Sequence, residues 1–361
     1  MTGLHFVLPG DPATRTGGFI YDARIIEGLR ARGLEVAVHS LPDGFPEPSP
    51  ATRAQARTLF AGLPEGARVV VDGLALGVLP EELKGPAARL DLIGLVHHPL
   101  AAESGLAPER QQALFDSERA ALELVSQVIT TSRHTAEALA PYGVPAGRIT
   151  PVPPGVDPAP LAEGSGAAGS GGSGGGGLAL LCVANLVPRK GHDLLLGALA
   201  RLADLDWRLT CAGSQARDPD WTGRLRRLCG EAGLDDRVTF RGEIGDAELE
   251  ALYHGADLFV LASHYEGYGM VFPEAVAHGI PVLATRTGGI PEAAPAEASI
   301  LVPPGDEAAL TAALRRLLAE PAAYAELRAK ARTARDGLRR WSDSAALFAE
   351  ALGYGAERAA R

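Results

Sequence analysis

The sequence is poor in cysteine and in long hydrophobic runs, and these absences exclude several classes of protein. Its 361 residues include three cysteines, Cys182, Cys211 and Cys229. An odd number with no Cys-x-x-Cys pair argues against a disulfide framework or a redox motif and indicates reduced, mostly buried thiols. No apolar run approaches the roughly 18 residues that a membrane-spanning helix needs, and residues 1–10 lack the basic start and apolar core of a signal peptide. We therefore expect a cytoplasmic protein without an integral membrane segment.

Basic residues are outnumbered, and lysine is scarce. The chain has 34 Lys+Arg against 44 Asp+Glu, which gives a formal net charge of -10. Because binding to phosphate backbones needs a concentrated basic surface, this balance disfavours nucleic acid as a partner and tight docking on an anionic membrane. The lysines are Lys84, Lys190 and Lys330, so each lysine of this arginine-rich chain is a candidate for a specific role.

A stretch of glycine and serine divides the chain. Residues 164–177 read GSGAAGSGGSGGGG, which has no apolar side chain beyond alanine and cannot form a packed element. The stretch is either an engineered join or a natural insertion, and it carries no chemistry. We predict a first domain over residues 1–162, a linker over 163–177, a second domain over 178–340 and a last helix over 341–361 that crosses back to the first domain.

Short apolar strands alternate with helical segments in both halves. This alternation predicts an α/β fold of two doubly wound domains, each a parallel sheet covered by helices. The predicted strands are Leu4–Leu8, Leu34–His39, Val69–Val71, Leu92–Val96 and Val128–Thr130, then Leu178–Val183, Arg208–Ala212, Val238–Arg241, Leu258–Ala262 and Pro281–Ala284. The predicted helices are Tyr21–Arg32, Glu109–Val125, His134–Leu139, Asp193–Leu202, Thr222–Ala232, Ala247–Tyr253, Phe272–Ala277 and a helical tail from Ala308.

The segment EGYGMVFPE, residues 266–274, carries the strongest functional signal. Glu266 follows a predicted strand, at the edge where open parallel sheets bind ligands. Gly267 and Gly269 let the backbone approach a ligand closely, and the amides of Met270 and Val271 at the helix start favour an anion. Glu266 and Glu274 can then accept hydrogen bonds from sugar and ribose hydroxyls. The alternative is an acidic pair in a solvated loop, which the glycines and a second turn, GGIPE at 288–292, make less attractive.

These residues resemble glycosyltransferase family 4 of the GT-B superfamily. The resemblance rests on two glutamates with seven residues between them, Glu266 and Glu274, within EGYGMVFPEAVAHGIPVLAT, and on the GGIPE that follows. It implies a GT-B fold, in which two Rossmann-like domains face each other across a cleft. It also implies that Glu266 contacts the donor sugar and that Glu274 contacts the ribose of the nucleotide.

VANLVPRKGH, residues 183–192, is a second match to the family. The resemblance implies that Lys190 holds the donor diphosphate. The family usually has an arginine five residues before this lysine, where this chain has Asn185. We expect Arg189 to supply the missing positive charge.

The remaining candidates are weaker. Gly17 and Gly18, in a turn before Phe19, resemble the family's N-terminal loop near the donor phosphates. His97, at the end of a predicted strand, resembles a histidine that faces the donor sugar, although a single loop histidine is more often structural. Arg241, in the turn Phe240-Arg241-Gly242, is the candidate for contact with the nucleobase.

The predicted activity is transfer of a sugar from a nucleotide-diphosphate sugar to an acceptor hydroxyl. The resemblance implies retention of anomeric configuration, with His97, Lys190 and Glu266 as the catalytic residues. No metal and no cofactor are expected, because Asp204-Leu-Asp206 and Asp218-Pro-Asp220 do not end a strand at the cleft. The expected partners are a UDP- or GDP-sugar and a small-molecule, glycan or lipid-linked sugar acceptor. A GT-B nucleotide-sugar epimerase and a silent nucleotide-sugar binder are the alternatives.

Overall fold

The computed structural model describes residues 3–11, 16–103, 105–166 and 177–354. The chain divides into two compact units. The first consists of Met1–Gly155 together with Arg339–Arg361, and the second is Val156–Leu338. Each is built around its own parallel sheet.

The first unit contains a parallel sheet of six strands in the order β2-β1-β3-β4-β5-β6. Its strands are β1 (Leu4–Pro9), β2 (Val36–Leu41), β3 (Arg68–Asp72), β4 (Asp91–Val96), β5 (Gln127–Thr130) and β6 (Ile149–Pro151). Its helices before Gly155 are α1 (Gly17–Ala31), α2 (Pro50–Gly62), α3 (Gly73–Leu76), α4 (Pro80–Leu83), α5 (Pro108–Leu122) and α6 (Arg133–Ala138). The central strands are buried on both faces, as expected for a sheet covered by helices.

The second unit repeats this plan with six parallel strands in the order β12-β11-β10-β7-β8-β9. The strands are β7 (Leu178–Val183), β8 (Trp207–Ala212), β9 (Val238–Gly242), β10 (Leu258–Leu261), β11 (Val282–Thr285) and β12 (Ser299–Val302). The helices are α7 (His192–Ala200), α8 (Pro219–Glu231), α9 (Asp246–His254), α10 (Val271–Ala277), α11 (Ile290–Ala293), α12 (Glu307–Ala319) and α13 (Pro321–Ala334). The order places β10 directly beside β7, although more than seventy residues separate them in the chain.

The sequence predicts most of these elements and misplaces some of their ends. The predicted strand from Leu34 begins only at Val36, because the Leu34 amide donates to the Leu29 carbonyl and closes helix α1. Helix α1 begins four residues earlier than the predicted Tyr21, because Thr16 caps it through the Phe19 amide. Six of the helices and strands named above were not predicted, namely helix α2, the one-turn helices α3, α4 and α11, and the short edge strands β6 and β12.

Residues 156–162, predicted as part of the first domain, lie in the second unit. His278 binds the Pro160 carbonyl, and the Ala162 amide donates to the His278 carbonyl. Ser165 donates to the Asp257 carboxylate, so the glycine and serine run begins on the second unit rather than between two units. The predicted linker residues 167–176 lie outside the described residues.

The C-terminal helix α14 (Trp341–Ala351) packs on α1 within the first unit. Gly28 allows this contact, because a Cβ there would lie 2.4 Å from the Ala345 Cβ. The rings of Phe348 and Phe6 stack with their centroids 5.8 Å apart. In the part of the chain that the structure describes, no helix has the length and apolar character needed to cross a membrane.

Replacing Phe348 by alanine tests the packing of α14. Its side chain is fully buried against Phe6, so Phe348→Ala is expected to lower the free energy of unfolding by about 3–5 kcal/mol. Glu350→Ala, on the exposed face of the same helix, is the control and is expected to change it by less than about 0.5 kcal/mol. Urea denaturation followed by circular dichroism measures the free energy of unfolding of both variants. Equal losses in the two variants would contradict the packing of Phe348 against Phe6.

Candidate functional site

A cluster of two basic side chains and one acidic side chain lies at the carboxyl ends of neighbouring strands in the second unit. Arg189 and Lys190 follow β7, and Glu266 follows β10. Because β7 and β10 pair in parallel, the loops after them emerge at the same edge of the sheet. Ligands of open α/β sheets bind at this edge.

The Glu266 carboxylate is the centre of this cluster. Lys190 Nζ donates to Glu266 Oε1 at 2.5 Å, and Ser263 Oγ donates to the same oxygen at 2.7 Å. Arg189 Nη1 lies 3.4 Å from Glu266 Oε2 and donates to the Tyr265 carbonyl at 2.9 Å. Glu266 is 5% exposed, and the Arg189 and Lys190 side chains are 15% and 16% exposed. All three charged groups are therefore largely removed from water.

The electrostatics of the cluster follow from this burial. Burial raises the pKa of the Glu266 carboxyl, but Lys190 and Arg189 outweigh it and hold that pKa below its ordinary value. Burial lowers the pKa of Lys190, and Glu266 offsets part of that effect. Two basic groups face one carboxylate, so the cluster can attract a further anion.

Backbone contacts hold the loops of the cluster together. The His264 amide donates to the Arg189 carbonyl at 2.8 Å, and the Gly289 amide donates to the Glu266 carbonyl at 2.9 Å. At Gly191, with φ 62°, a Cβ would lie 2.0 Å from the Ala262 carbonyl oxygen. At Gly288, with φ 54°, a Cβ would lie 2.0 Å from the Glu266 carbonyl oxygen. The sequence motif GG at 288–289 is therefore required for the close approach of the loop that carries Glu266.

The predicted binding segment after Glu266 leads directly into α10. Gly269 has φ 95°, and a Cβ there would lie 2.5 Å from the Phe272 ring. Gly267 lies against Gly289, whose own Cβ would be 2.2 Å from the Gly267 carbonyl oxygen. Met270 immediately precedes the helix, which begins at Val271 and has no side-chain cap.

Glu274 lies on α10 and has one side-chain partner on α9. The Tyr253 hydroxyl donates to Glu274 Oε2 at 3.0 Å. Burial raises the pKa of Glu274 above its ordinary value, and the Tyr253 hydrogen bond opposes that shift. No contact between Glu274 and the Glu266 carboxylate is found within the described residues.

Asn185 and Arg241, the two remaining candidates of the second unit, have local structural partners. Asn185 Oδ1 accepts from the Ser214 amide at 3.0 Å and so joins the loops after β7 and β8. Arg241, on the edge strand β9, pairs with Glu248 at the exposed surface. The structure therefore brings Arg189, Lys190 and Glu266 together and leaves Arg241 outside that cluster.

A second buried cluster lies at the carboxyl ends of strands in the first unit. His97 follows β4, and its Nε2 lies 3.1 Å from Asp72 Oδ2, at the end of β3. The same nitrogen lies 3.2 Å from Asp22 Oδ1, on α1. Gly18 packs against the imidazole, because a Cβ there would lie 3.3 Å from His97 Cδ2, whereas Gly17 is the exposed first residue of α1.

Sequence reasoning found His97 but missed Asp22, Asp72 and Ser263. Asp72 directly follows the predicted strand Val69–Val71, and His97 follows the predicted strand Leu92–Val96. Because the carboxyl ends of parallel strands lie at the same edge of a sheet, this was sufficient to place Asp72 near His97. Asp22 is one acid on an amphipathic helix, and its burial depends on packing that the sequence does not reveal. Ser263 is likewise set by the turn after β10.

Two groups of three side chains within the described residues place possible metal ligands within 4.8 Å of one another. One is the His97 cluster, and the other consists of Cys182, Cys211 and His192. All three cysteines are buried free thiols. In the two Asp-x-Asp segments, Asp218 caps α8 through the Trp221 amide and Asp204 pairs with Arg315. Those aspartates have structural partners away from the Glu266 cluster.

Two family models match the chain. The model described as Glycosyltransferase Family 4 matches residues 83–160, and the one described as Glycosyl transferases group 1 matches residues 177–320. The MMP alpha-(1->4)-mannosyltransferase of Mycolicibacterium hassiacum is 30% identical over 306 residues, which cover 80% of this chain and 70% of that protein. The chain belongs to glycosyltransferase family 4.

Further comparisons agree with the fold of this family 4 member. The D-inositol 3-phosphate glycosyltransferase of Pseudarthrobacter chlorophenolicus is 33% identical over 200 residues, or 54% of this chain. The match spans about half the length of that relative, 47%. The solved structure of sucrose-phosphate synthase from Thermosynechococcus elongatus superposes with a TM-score of 0.80 at 25% identity, covering 97% of this chain and 98% of that one. The predicted GT-B fold is confirmed.

An alanine substitution at Gly288 tests the loop contact beneath Glu266. Both Gly288 and Gly305 have positive φ, but a Cβ at Gly305 meets nothing within 4 Å. Gly305→Ala is therefore expected to cost only the left-handed backbone penalty, about 1–2 kcal/mol. Gly288→Ala adds the clash with the Glu266 carbonyl and is expected to lower the thermal midpoint further. Similar midpoints for the two variants would show that the contact at Gly288 is absent.

Proposed function

We propose that this protein is a retaining glycosyltransferase that moves a sugar from a nucleotide-diphosphate sugar to an acceptor hydroxyl without a metal ion. The observation that carries the proposal is the cluster of Lys190 and Arg189 on the buried Glu266 carboxylate. Its surplus of basic groups suits a diphosphate, whose departure is the step that the protein must assist. Membership of family 4 and the names of the relatives agree with transfer of a sugar.

Electrostatic stabilisation of the leaving group is the protein's main contribution in this proposal. Lys190 and Arg189 bind the diphosphate as negative charge develops on it, and both are held in position by carbonyl and carboxylate partners before the substrate arrives. Such preorganised groups are effective in a site from which water is excluded. They supply the charge that a divalent ion supplies in other transferases.

The other groups position the substrates. Glu266 accepts hydrogen bonds from hydroxyls of the donor sugar, and Glu274 accepts them from the ribose. Gly267, Gly269 and the amides of Met270 and Val271 allow close approach of the donor to the start of α10. The acceptor hydroxyl attacks the anomeric carbon from the side of the leaving group, and the departing phosphate takes the acceptor proton, which retains the configuration.

The donor and the acceptor belong to chemical classes that an assay can separate. We propose a UDP- or GDP-sugar as donor, and a small molecule, a glycan or a lipid-linked sugar as acceptor. The inositol phosphate named for one relative is a small polar acceptor of this kind. An epimerase would convert the donor without an acceptor, and a silent binder would bind it without turnover.

Donor turnover tests the proposal directly. A panel of UDP-, GDP- and ADP-sugars with mixed acceptors and a chelator is scored for released nucleoside diphosphate. Lys190→Ala is expected to lower kcat by about 100- to 1000-fold because it removes charge at the leaving group. Lys330→Ala is the matched control, since that lysine is exposed and pairs with Glu326 one helical turn away. Loss of activity on chelation, or equal activity of the two variants, would contradict the proposal.

Glu274→Ala separates donor binding from chemistry. If Glu274 holds the ribose, the variant is expected to raise the KM for the donor by about 10-fold, the value of one or two hydrogen bonds. Tyr253→Phe is the control, because it removes the hydroxyl that binds Glu274 but keeps the carboxylate. An unchanged KM in Glu274→Ala would remove Glu274 from the ribose site.

Arg189 is expected to replace the arginine that this chain lacks at Asn185. Arg189→Ala should therefore weaken binding of UDP or GDP by about 10-fold, measured by calorimetry. Restoring the arginine in the double variant Arg189→Ala, Asn185→Arg should recover part of the affinity. No loss in the single variant would show that Arg189 does not serve the diphosphate.

A further inference from the structure

Two cysteines and one histidine form a buried cluster in the second unit that the proposed function does not use. The ligand atoms of Cys182, Cys211 and His192 all lie within 4.8 Å of one another. Each of the three residues is 1% exposed, and both thiols belong to the apolar core of the unit. Thiolate and imidazole are groups that bind zinc in proteins. The cluster is therefore a candidate metal site.

Strand register and a turn bring these three side chains together. Cys182, near the end of β7, is the direct partner of Cys211 on β8, so both side chains lie on the same face of the parallel sheet. His192 is the first residue of α7, and Gly191, with φ 62°, turns the chain into this helix. The chain thus returns to the end of β7, where His192 Nε2 lies 3.7 Å from Cys182 Sγ.

The spacing of the ligand atoms suits a zinc ion. Zinc–sulfur bonds are about 2.3 Å long and zinc–nitrogen bonds about 2.0–2.1 Å, so a sulfur and a nitrogen on one ion lie about 3.5–3.8 Å apart at tetrahedral to trigonal angles. The 3.7 Å between Cys182 Sγ and His192 Nε2 falls within this range. The three ligand atoms are thus close enough to share one ion without a change of strand register.

His192 is the member of the cluster that ordinary packing does not explain. A buried free cysteine packs as a small apolar residue. An imidazole carries two polar nitrogens, and burying either without a partner costs free energy. Within the described residues His192 Nδ1 has no hydrogen-bond partner, and Nε2 faces the Cys182 thiol, which is a weak one. A bond from Nε2 to a metal ion offsets the cost of burying this ring.

Charge balance favours a divalent ion. Cysteine binds metal as thiolate, so Cys182 and Cys211 bring two negative charges, whereas His192 binds as the neutral ring. A divalent ion makes this site neutral, but Cu⁺ leaves one buried negative charge. Lys190 does not balance that charge, because it is bonded to Glu266. Since Mg²⁺ and Ca²⁺ take oxygen ligands, the thiolates select zinc.

We propose that Cys182, Cys211 and His192 form a structural site for one Zn²⁺ ion. Two Zn–S bonds and one Zn–N bond form, both thiol protons leave to solvent, and no atom changes its oxidation state. Cys182 precedes and His192 follows the loop that carries Lys190, so the ion fixes both ends of that loop and ties it to β8. The ion takes no part in the sugar transfer and does not replace the charge of Lys190 and Arg189 on the diphosphate.

Metal content tests this site in the full chain. Wild-type protein incubated with Zn²⁺ under reducing conditions and then desalted is expected to retain about one zinc per chain, measured by mass spectrometry of the elements. Cys182→Ala, Cys211→Ala and His192→Ala are each expected to lower zinc retention by at least about tenfold. Cys229→Ala is the matched control and should retain wild-type zinc, because that thiol is buried in the same unit but lies outside the cluster.

Two further measurements report the ligands and the folded state. Co²⁺ in place of Zn²⁺ is expected to give a sulfur-to-cobalt charge-transfer band in wild type and Cys229→Ala, and a weaker band in Cys182→Ala and Cys211→Ala. Zn²⁺ should raise the thermal midpoint of wild type but not of Cys182→Ala, because an ion that binds only the folded chain stabilises it. The midpoints without zinc show which variants fold.

Several outcomes would overturn the inference. Wild type that retains no zinc and gives no cobalt band contradicts it, as does equal zinc retention in wild type and the three cluster variants. An equal loss in Cys229→Ala places the zinc elsewhere, and retention of Cu⁺ but not of Zn²⁺ contradicts the choice of ion.

These measurements need no donor, so failure of the zinc site and failure of the proposed glycosyl transfer are distinguishable. Zinc retention without turnover of any donor leaves the site in place and contradicts the transfer. A loss of turnover on chelation that also occurs in the double variant Cys182→Ala, Cys211→Ala does not come from this site, and it then counts against transfer without a metal ion.

Discussion

The bond between Lys190 Nζ and the Glu266 carboxylate is the interaction on which the second unit's site depends. It joins the loop after β7 to the loop after β10, two segments far apart in the chain. Ser263 and Arg189 complete the coordination of the carboxylate, and Gly191 and Gly288 allow the backbones to approach. The attraction within a buried ion pair offsets the free-energy cost of removing both charges from water only when further hydrogen bonds satisfy both partners. The glycines and carbonyl contacts around it provide that condition.

Sheet topology explains why the candidate residues of each unit lie at the carboxyl edge of its sheet. In the first unit Asp72 ends β3 and His97 follows the neighbouring strand β4, and in the second Lys190 and Glu266 follow the neighbouring strands β7 and β10. A parallel sheet directs all its carboxyl ends to one edge, so short loops there bring polar groups together without distorting the core. The hydrophobic strands hold these loops, and the candidate residues on them, in position.

Local patterns in the sequence predict the elements but not their neighbours. The strand Leu178–Val183 was predicted with its observed bounds, because its apolar run is bordered by glycine and a polar loop. Strand order cannot be read in this way, so the pairing of β7 with β10, and with it the bond between Lys190 and Glu266, was not predicted. The same limit applies to Asp22, whose burial depends on what α1 packs against. By contrast, Asp72 was missed although the end of its predicted strand was known.

The two described ends of the predicted linker both contact the second unit. Ser165 and the Ala179 amide both bind the carboxylate of Asp257, so one residue of the second unit anchors both described ends of this segment. The free energy of closing a loop rises only slowly with its length. Residues between two such anchored ends can therefore vary in number and composition with little effect on the sheet they join.

The balance of buried charge distinguishes the two clusters from an ordinary ion pair. Glu82 also faces two arginines, Arg53 and Arg57, but their side chains are 36% and 57% exposed, so water screens the surplus positive charge. In the Glu266 cluster the two basic side chains are themselves mostly buried, and in the His97 cluster the surplus is two buried carboxylates on one imidazole. A buried charged group without an oppositely charged partner costs free energy unless a bound ligand or a transferred proton neutralises it. In the second unit, this buried surplus at the carboxyl edge of the sheet is the physical reason for our proposal that Lys190 and Arg189 bind a diphosphate.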